Sequence, residues 1–315
     1  MSRVLLILLV CLMSAPATAS QLLMPGSVEK TITVDGLTRK YLVYVPKGAD
    51  GPFPLVLAFH GGGGKPIQME RYGRFNALAQ KEKFVVAYPE AVDGNWNDGR
   101  GVQFIRAQRE NIDDVKFVRA VIRDIGKQCQ LDTSRVFATG ISNGAFISHR
   151  LAAEASDVIA AVAPVVGGMA PSIAKSFAPK YPVSLFVIQG DADPLVPIHG
   201  GYVGFRGGRK RGELVPTKDA IAKYLQANGI TGKPNVSMLD DTDPQDETTT
   251  EATTHPAGRD GARVQVYIVK NGGHTWPGRR AYLPEQLIGK TSQDFDASQA
   301  IWEFFKSCPS RKLTE

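Results

Sequence analysis

The 315-residue sequence predicts an α/β fold, with a mostly parallel central sheet, helices on both faces and an antiparallel N-terminal edge. Three observations predict it. Short apolar runs such as "PLVLAFHG", "FVVAYPE" and "VSLFVIQG" are continuous, the pattern of strands buried on both faces. Segments with helical spacing fall between them, which is the order of a layered α/β chain. The early segment "SVEKTITVDGLTRKYLVYVP" instead alternates about Asp35-Gly36, as an antiparallel hairpin does.

The elements follow in order. Residues 1–19 read as a secretory leader: Arg3, the apolar run "VLLILLVCLM", then Ala17-Thr18-Ala19 before a cut at Ser20. The run is too short to span a bilayer. Residues 20–315 read as one domain, since 43% apolar residues are ample for one core. After the hairpin and the "PLVLAFHG" strand, "MERYGRFNALAQKEK" is helical. "NIDDVKFVRAVIRDIGKQC" places Ile112, Val115, Val118, Val121, Ile122 and Ile125 on one helical face. Asp113 and Asp114 suit its N-terminus. "RVFATG" is a strand, "NGAFISHRLAAEA" a helix, and "IAAVAPVVG" and "VSLFVIQG" are strands. "TKDAIAKYLQANG" is a helix closed by a glycine suited to a left-handed cap. "LDDTDPQDETTTEATTHPAG" reads as a long acidic surface loop, "RVQVYIVKNGG" as a late strand, and "SQDFDASQAIWEFFKSC" as a terminal helix with a Ser or Asp N-cap.

Removal of the leader takes away Arg3 and lowers the formal net charge from +6 to +5. The one dense basic cluster, "FRGGRKRG" with Arg206, Arg209, Lys210 and Arg211, is broken by glycines and reads as a solvated loop. No nucleic-acid partner and no membrane association are expected. Two cysteines remain, Cys129 and Cys308, and in an exported chain the pair suggests a disulfide.

The chemistry centres on Gly140-Ile141-Ser142-Asn143-Gly144. A serine on a tight strand-to-helix turn, with a glycine two residues to either side, is a nucleophile elbow. Its hydroxyl projects at the C-terminal edge of the sheet, where parallel sheets place their ligands. A hydroxyl needs a base, and the base an orienting carboxylate, in the chain order Ser, acid, His. Of the five histidines, His60 precedes the serine, His149 lies on the elbow helix, and His199 and His255 fall in a turn and the acidic loop. His274, in "VYIVKNGGHTWPG" after a late strand, is the candidate base, with Gly272 and Gly273 allowing a sharp turn. Asp191 and Asp193 both follow the "VSLFVIQG" strand. Asp193, stiffened by Pro194, is taken as the acid and Asp191 as a turn cap. Oxyanion donors are expected from the Asn143 amide and from the glycines of "LAFHGGGG", Gly62 first and Gly63 second. Trp96 and Trp276 are candidates for an aromatic wall at the substrate; the competing reading is that each pins its loop.

The segments "FHGGGG", "NIDDVKFVRAVI", "LDTSRVFATGISNGAF", "QGDADPLVP", "NGGHTWPG" and "IWEFF" together resemble the secreted polyhydroxybutyrate depolymerase-like esterases, which group with feruloyl and acetyl-xylan esterases. The resemblance runs from Val43 to Phe305. It implies the α/β-hydrolase fold and a triad of Ser142, Asp193 and His274. It departs around Trp96, where many relatives carry a cysteine pair and "NWNDGRGVQFIRAQREN" has none, and at Tyr224, where relatives often have tryptophan. The expected activity is hydrolysis of a small or oligomeric ester, free or attached to polysaccharide, by an exported serine esterase with no metal or organic cofactor. An acyltransferase and a non-catalytic polymer-binding protein are the rivals. No appended binding module is read, so oligomers are expected over insoluble polymer.

Overall fold

The computed structural model describes residues 27–205 and 207–311; the predicted leader lies outside the described residues, as does Arg206. Ten strands form the main sheet: β1 (Val28–Val34), β2 (Leu37–Tyr44), β3 (Phe53–Phe59), β4 (Val85–Pro89), β5 (Leu131–Ile141), β6 (Ala161–Val165), β7 (Ser184–Gly190), and later β10 (Asn235–Met238), β11 (Thr249–Thr254) and β12 (Val264–Lys270). Between β7 and β10, β8 (Gly201–Tyr202) and β9 (Glu213–Leu214) make a separate two-stranded ribbon. The spatial order is β1-β2-β4-β3-β5-β6-β7-β12-β11-β10. The six strands from β4 to β12 run parallel. Each edge carries two antiparallel strands, β1-β2 and β11-β10.

The continuous apolar strands separate two cores, and β3 shows how. Leu55, Leu57 and Phe59 join one cluster with Val118 and Val121 of the helix Asp114–Gly126. Val56 and Ala58 join the other, with Phe75, Trp302 and Phe305. Successive side chains alternate between faces, so a strand covered on both sides must be apolar at every position.

Helix ends agree with the sequence in several places. Asp113 accepts from the Lys116 amide (2.8 Å), Asp296 accepts from the Ser298 and Gln299 amides (2.9 and 3.2 Å), and Gly229 closes Thr217–Asn228 at φ 65°. Two segments differ from expectation. The helix expected over "MERYGRFNALAQKEK" is two helices, Pro66–Gly73 and Phe75–Glu82, joined at left-handed Arg74 (φ 55°). Carbonyls at the break are taken by distant donors: Arg279 reaches Tyr72 and Gly73, and the Ser298 hydroxyl reaches Gly73 at 2.6 Å. The acidic loop contains β11, where half-buried Thr249, Glu251 and Thr253 alternate with buried Thr250 and Ala252 beside β12. β-branched threonine suits a pleated edge once a partner strand is present.

The expected Cys129–Cys308 disulfide is not formed; both thiols are free. Cys129 packs against the core that holds the helix Asp114–Gly126, and Cys308 lies in the opposite core. The sheet stands between them. Each thiol is directed at a carbonyl of its own segment, Cys129 at Ile125 and Cys308 at Phe304. Burial pushes the Cys308 thiol up to about 12, so it stays protonated.

Two outcomes follow from this packing. Alkylation of the denatured, unreduced protein should label both Cys129 and Cys308, and a cross-linked peptide in non-reducing mapping would contradict the assignment. A Cβ on Gly144 would lie 2.3 Å from the Phe59 carbonyl oxygen, and one on Gly140 2.6 Å from the same atom. Gly144→Ala should therefore lose about 2–3 kcal/mol of stability or more. An unchanged melting temperature would show that the turn relaxes freely.

Candidate active site

The parallel strands end on one edge, and the loops leaving them build the site. Ser142 lies between β5 and the helix Asn143–Glu154, with φ 56° and ψ −121°. A non-glycine residue there is strained by about 1–3 kcal/mol, and surrounding contacts must hold it. The Ser142 amide donates to Val165 of β6 (3.0 Å), and its carbonyl accepts from Ala145 and Phe146. Gly140 and Gly144 allow the turn to press against the Phe59 and His60 carbonyls. Gly140 also clears the Gly144 backbone within the turn, where a Cβ would come to 2.8 Å.

His274 follows β12. Asn271 takes the left-handed position (φ 60°), while Gly272 and Gly273 have ordinary backbone angles. Those glycines are needed for contact: a Cβ on Gly272 would lie 2.5 Å from Val269 Cγ1, and one on Gly273 2.1 Å from the Ile288 oxygen. The His274 ring is buried, and its Nδ1–H donates to Asp193 Oδ2 at 2.7 Å. That leaves Nε2 as the acceptor of the neutral ring. Asp193 is buried as well, and its Oδ1 accepts the amides of Leu195 (2.8 Å) and Val196 (2.9 Å). Two amides hold one oxygen and the imidazole meets the other, which fixes the carboxylate in rotation. Asp191 is exposed and caps the turn instead, accepting the Asn271 amide at 2.7 Å.

Ser142, His274, Gly62 and Asn143 line one cavity of about 850 Å³. The Gly63 amide is committed to the Gly94 carbonyl (2.8 Å), so Gly62 is the better donor candidate in the glycine loop. The Asn143 side chain ties this edge together. It accepts the Trp96 amide at 2.8 Å and donates to Asp98 at 2.5 Å. Asp98 is fully buried and also receives Gln108 and a two-pronged contact from Arg100. Asp114, buried against Arg39, accepts the Asn97 amide at 2.7 Å; burial raises its carboxyl while Arg39 opposes the rise.

Neither tryptophan forms the expected wall. Trp96 and Trp276 are both fully buried and absent from the cavity lining. Trp96 donates its indole N–H to the His60 carbonyl (3.0 Å), and Trp276 donates to the Ser298 hydroxyl (3.1 Å). The pinning alternative describes both. Aromatic lining comes from Tyr72, Phe205 and Tyr282, which no sequence motif marked. The basic segment is exposed at Arg209 and Lys210, as expected of a solvated loop, and Arg209 and half-buried Arg211 also line the cavity beside Arg100.

His60 and His149 are buried bystanders. His60 Nδ1–H donates to the Gly61 carbonyl, and its Nε2 accepts the Ala91 amide. His149 is hydrogen-bonded with the Tyr224 hydroxyl at 3.0 Å. Burial lowers them to about 4 and about 3.

The chain is similar to proteins of one family. Residues 39–178 match the family model described as esterase PHB depolymerase. A protein of Nocardia uniformis subsp. tsuyamanensis named Putative esterase NocK is 30% identical over 87% of this chain and 81% of its own length. Feruloyl esterase B of Piromyces equi is 26% identical over 75% of this chain and 42% of its length. Poly(3-hydroxyalkanoate) depolymerase C of Paucimonas lemoignei is 28% identical over 62% and 50%. The chain thus spans half or less of these last two proteins. An acetyl xylan esterase from Aspergillus awamori shares the fold, with a TM-score of 0.57 at 16% identity over 79% of this chain and 94% of that one.

The two histidines set a pH dependence. They stay neutral in the folded chain while the unfolded chain takes up protons below about pH 6.5. Stability is therefore complete above that value and falls as pH drops toward the folded values. Between pH 7 and 5 the loss should reach about 2 kcal/mol for each histidine. Denaturant midpoints measured across this window should fall, and His149→Gln should flatten the slope; an unchanged slope would remove His149 from this account.

Proposed function

Starting from a chain that belongs to the esterase PHB depolymerase family and is a carboxylic ester hydrolase, we propose that it works through Ser142, His274 and Asp193 and a covalent acyl-enzyme. Ser142 Oγ attacks the ester carbonyl, and His274 Nε2 accepts the hydroxyl proton. Asp193 keeps the other ring nitrogen protonated and stabilises the imidazolium. The Asn143 and Gly62 amides receive the oxyanion. His274 returns the proton to the leaving alcohol, and water attacks the acyl-enzyme through the same base.

The observation that carries this reading is the 2.7 Å bond between two buried side chains, His274 and Asp193, whose imidazole opens on the same cavity as a serine held at φ 56°. The substrates fitting the relatives' names are hydroxyalkanoate oligomers and feruloyl or acetyl esters of plant polysaccharide. The leader sequence supports export to the periplasm or medium, with residues 20–315 as the mature catalytic domain.

A short-chain p-nitrophenyl ester tests the mechanism. Wild type should turn it over, and Ser142→Ala should lose about four orders of magnitude or more in kcat, with Asp193→Asn also strongly impaired. Equal rates for wild type and Ser142→Ala would discard the serine.

A further inference from the structure

The charge of the cavity is uneven. Among the described residues, four arginines line it, Arg71, Arg100, Arg209 and Arg211, and no aspartate or glutamate does. Arg100 is neutralised: its guanidinium is paired with buried Asp98 at 2.6 Å, and it also donates to the Arg211 carbonyl. Arg209 and Arg211 have no carboxylate within ion-pair distance among the described residues. Both are nevertheless held in place by neutral groups. The Arg209 guanidinium lies 3.6 Å from the Phe104 ring centroid, and Arg211 donates to the Asn95 side-chain oxygen at 2.9 Å. Arg211 is half-buried; burial first and then the Arg100 charge lower its proton affinity, and the Asp98 charge, already paired with Arg100, only partly opposes them. Arg209 is exposed on its Phe104 stack. Both guanidiniums are held in position with no carboxylate to share their N–H groups, so each can meet an anion entering the cavity, and the partly desolvated Arg211 gains more from one.

Position makes the arrangement relevant to substrate. A Cβ built on Gly62, the oxyanion-donor candidate, would lie 3.2 Å from Arg211 Nη2. The uncompensated charge thus borders the place where an ester carbonyl would be held. Leu195, Val203, Phe205, Tyr282 and Leu283 supply apolar surface to the same cavity.

We infer that the cavity selects esters that carry a free carboxylate, with Arg209 and Arg211 binding that carboxylate while an apolar chain rests on the aromatic side. Acid-ended oligomers of hydroxy acids belong to this class. The inference deepens the proposed function and rests on the Ser142 centre being the one that opens into this cavity. The reaction remains hydrolysis: the ester C–O bond breaks, and water supplies the hydroxyl and the proton.

Two matched pairs test it. One is 3-acetoxybutyrate against its amide, followed by acetate release; this places the carboxylate on the alcohol part. The other is the mono-4-nitrophenyl ester of adipic acid against 4-nitrophenyl hexanoate, with the carboxylate on the acyl part. In at least one pair wild type should favour the anionic member by about ten-fold in kcat/KM. Arg209→Gln and Arg211→Gln should each bring that ratio toward one, whereas Lys30→Gln, a change of equal charge on β1, should keep it. The wild-type ratio should also shrink between about 50 mM and about 500 mM NaCl, a readout that needs no variant to fold. Ratios near one in both pairs, or a high ratio surviving in both arginine variants, would overturn the inference and leave the esterase mechanism standing. Hexanoate turnover that persists in Ser142→Ala would instead overturn the mechanism, and this inference with it.

Discussion

The whole site depends on one backbone constraint: Ser142 at φ 56°, ψ −121°, forced between β5 and the helix that follows. The conformation is costly for a residue with a side chain, and it persists because three strands share the load. The β6 carbonyl of Val165 accepts the Ser142 amide, and the next helical turn bonds back to the Ser142 carbonyl. Gly140 and Gly144 bring the turn onto the ends of β3. A larger residue at either glycine would push the turn off β3 and move the hydroxyl away from the loop that supplies Gly62. Strand order therefore matters as much as the motif, since β3 and β5 must be neighbours for the contact to exist.

Around that constraint the loops are fastened by buried polar groups whose partners are present, the condition under which such groups stiffen a structure. The Asn143 side chain connects the elbow to the Trp96 segment, the Trp96 indole connects that segment to the loop after β3, and Asp98 gathers Asn143, Gln108 and Arg100. On the other side, Arg279 joins Asp296 to the broken helix near Tyr72, which steadies the chain after His274. Asp193 is prepared in the same manner by two amides of its own turn. Tryptophan contributes as a fastener here: the large apolar ring fills space, and the single N–H finds a single acceptor.

The cavity combines aromatic surface with arginines, of which Arg100 is paired with Asp98 and Arg209 and Arg211 have no carboxylate in ion-pair contact among the described residues. Phe205, Arg209, Arg211 and Tyr282 come from segments with little pattern of their own, the β8–β9 ribbon region and the loop that carries Tyr282, while the helix Pro66–Gly73 adds Arg71 and Tyr72. Such connections vary more readily than the strands they join. One scaffold can thus keep the turn at Ser142 while the walls of the cavity change.

The sequence by itself determined the layered fold, the strand-to-helix turn at Ser142, the place of Asp191 and Asp193 just past β7, and the place of His274 after a late strand. Each is written locally, as continuous apolar runs, glycines at fixed offsets or a polar residue just past a strand end. Tertiary structure alone decided the rest. Cys129 and Cys308 lie in opposite cores because alternate faces of one sheet separate them, a fact about which strands pair and not about either cysteine. Thr249–Thr254 became a strand because β12 was there to bond it. Trp96 and Trp276 turned inward, and Arg209 and Arg211 turned toward the cavity, because the direction of a loop side chain is set by what packs around it. Local residue spacing does not encode that direction.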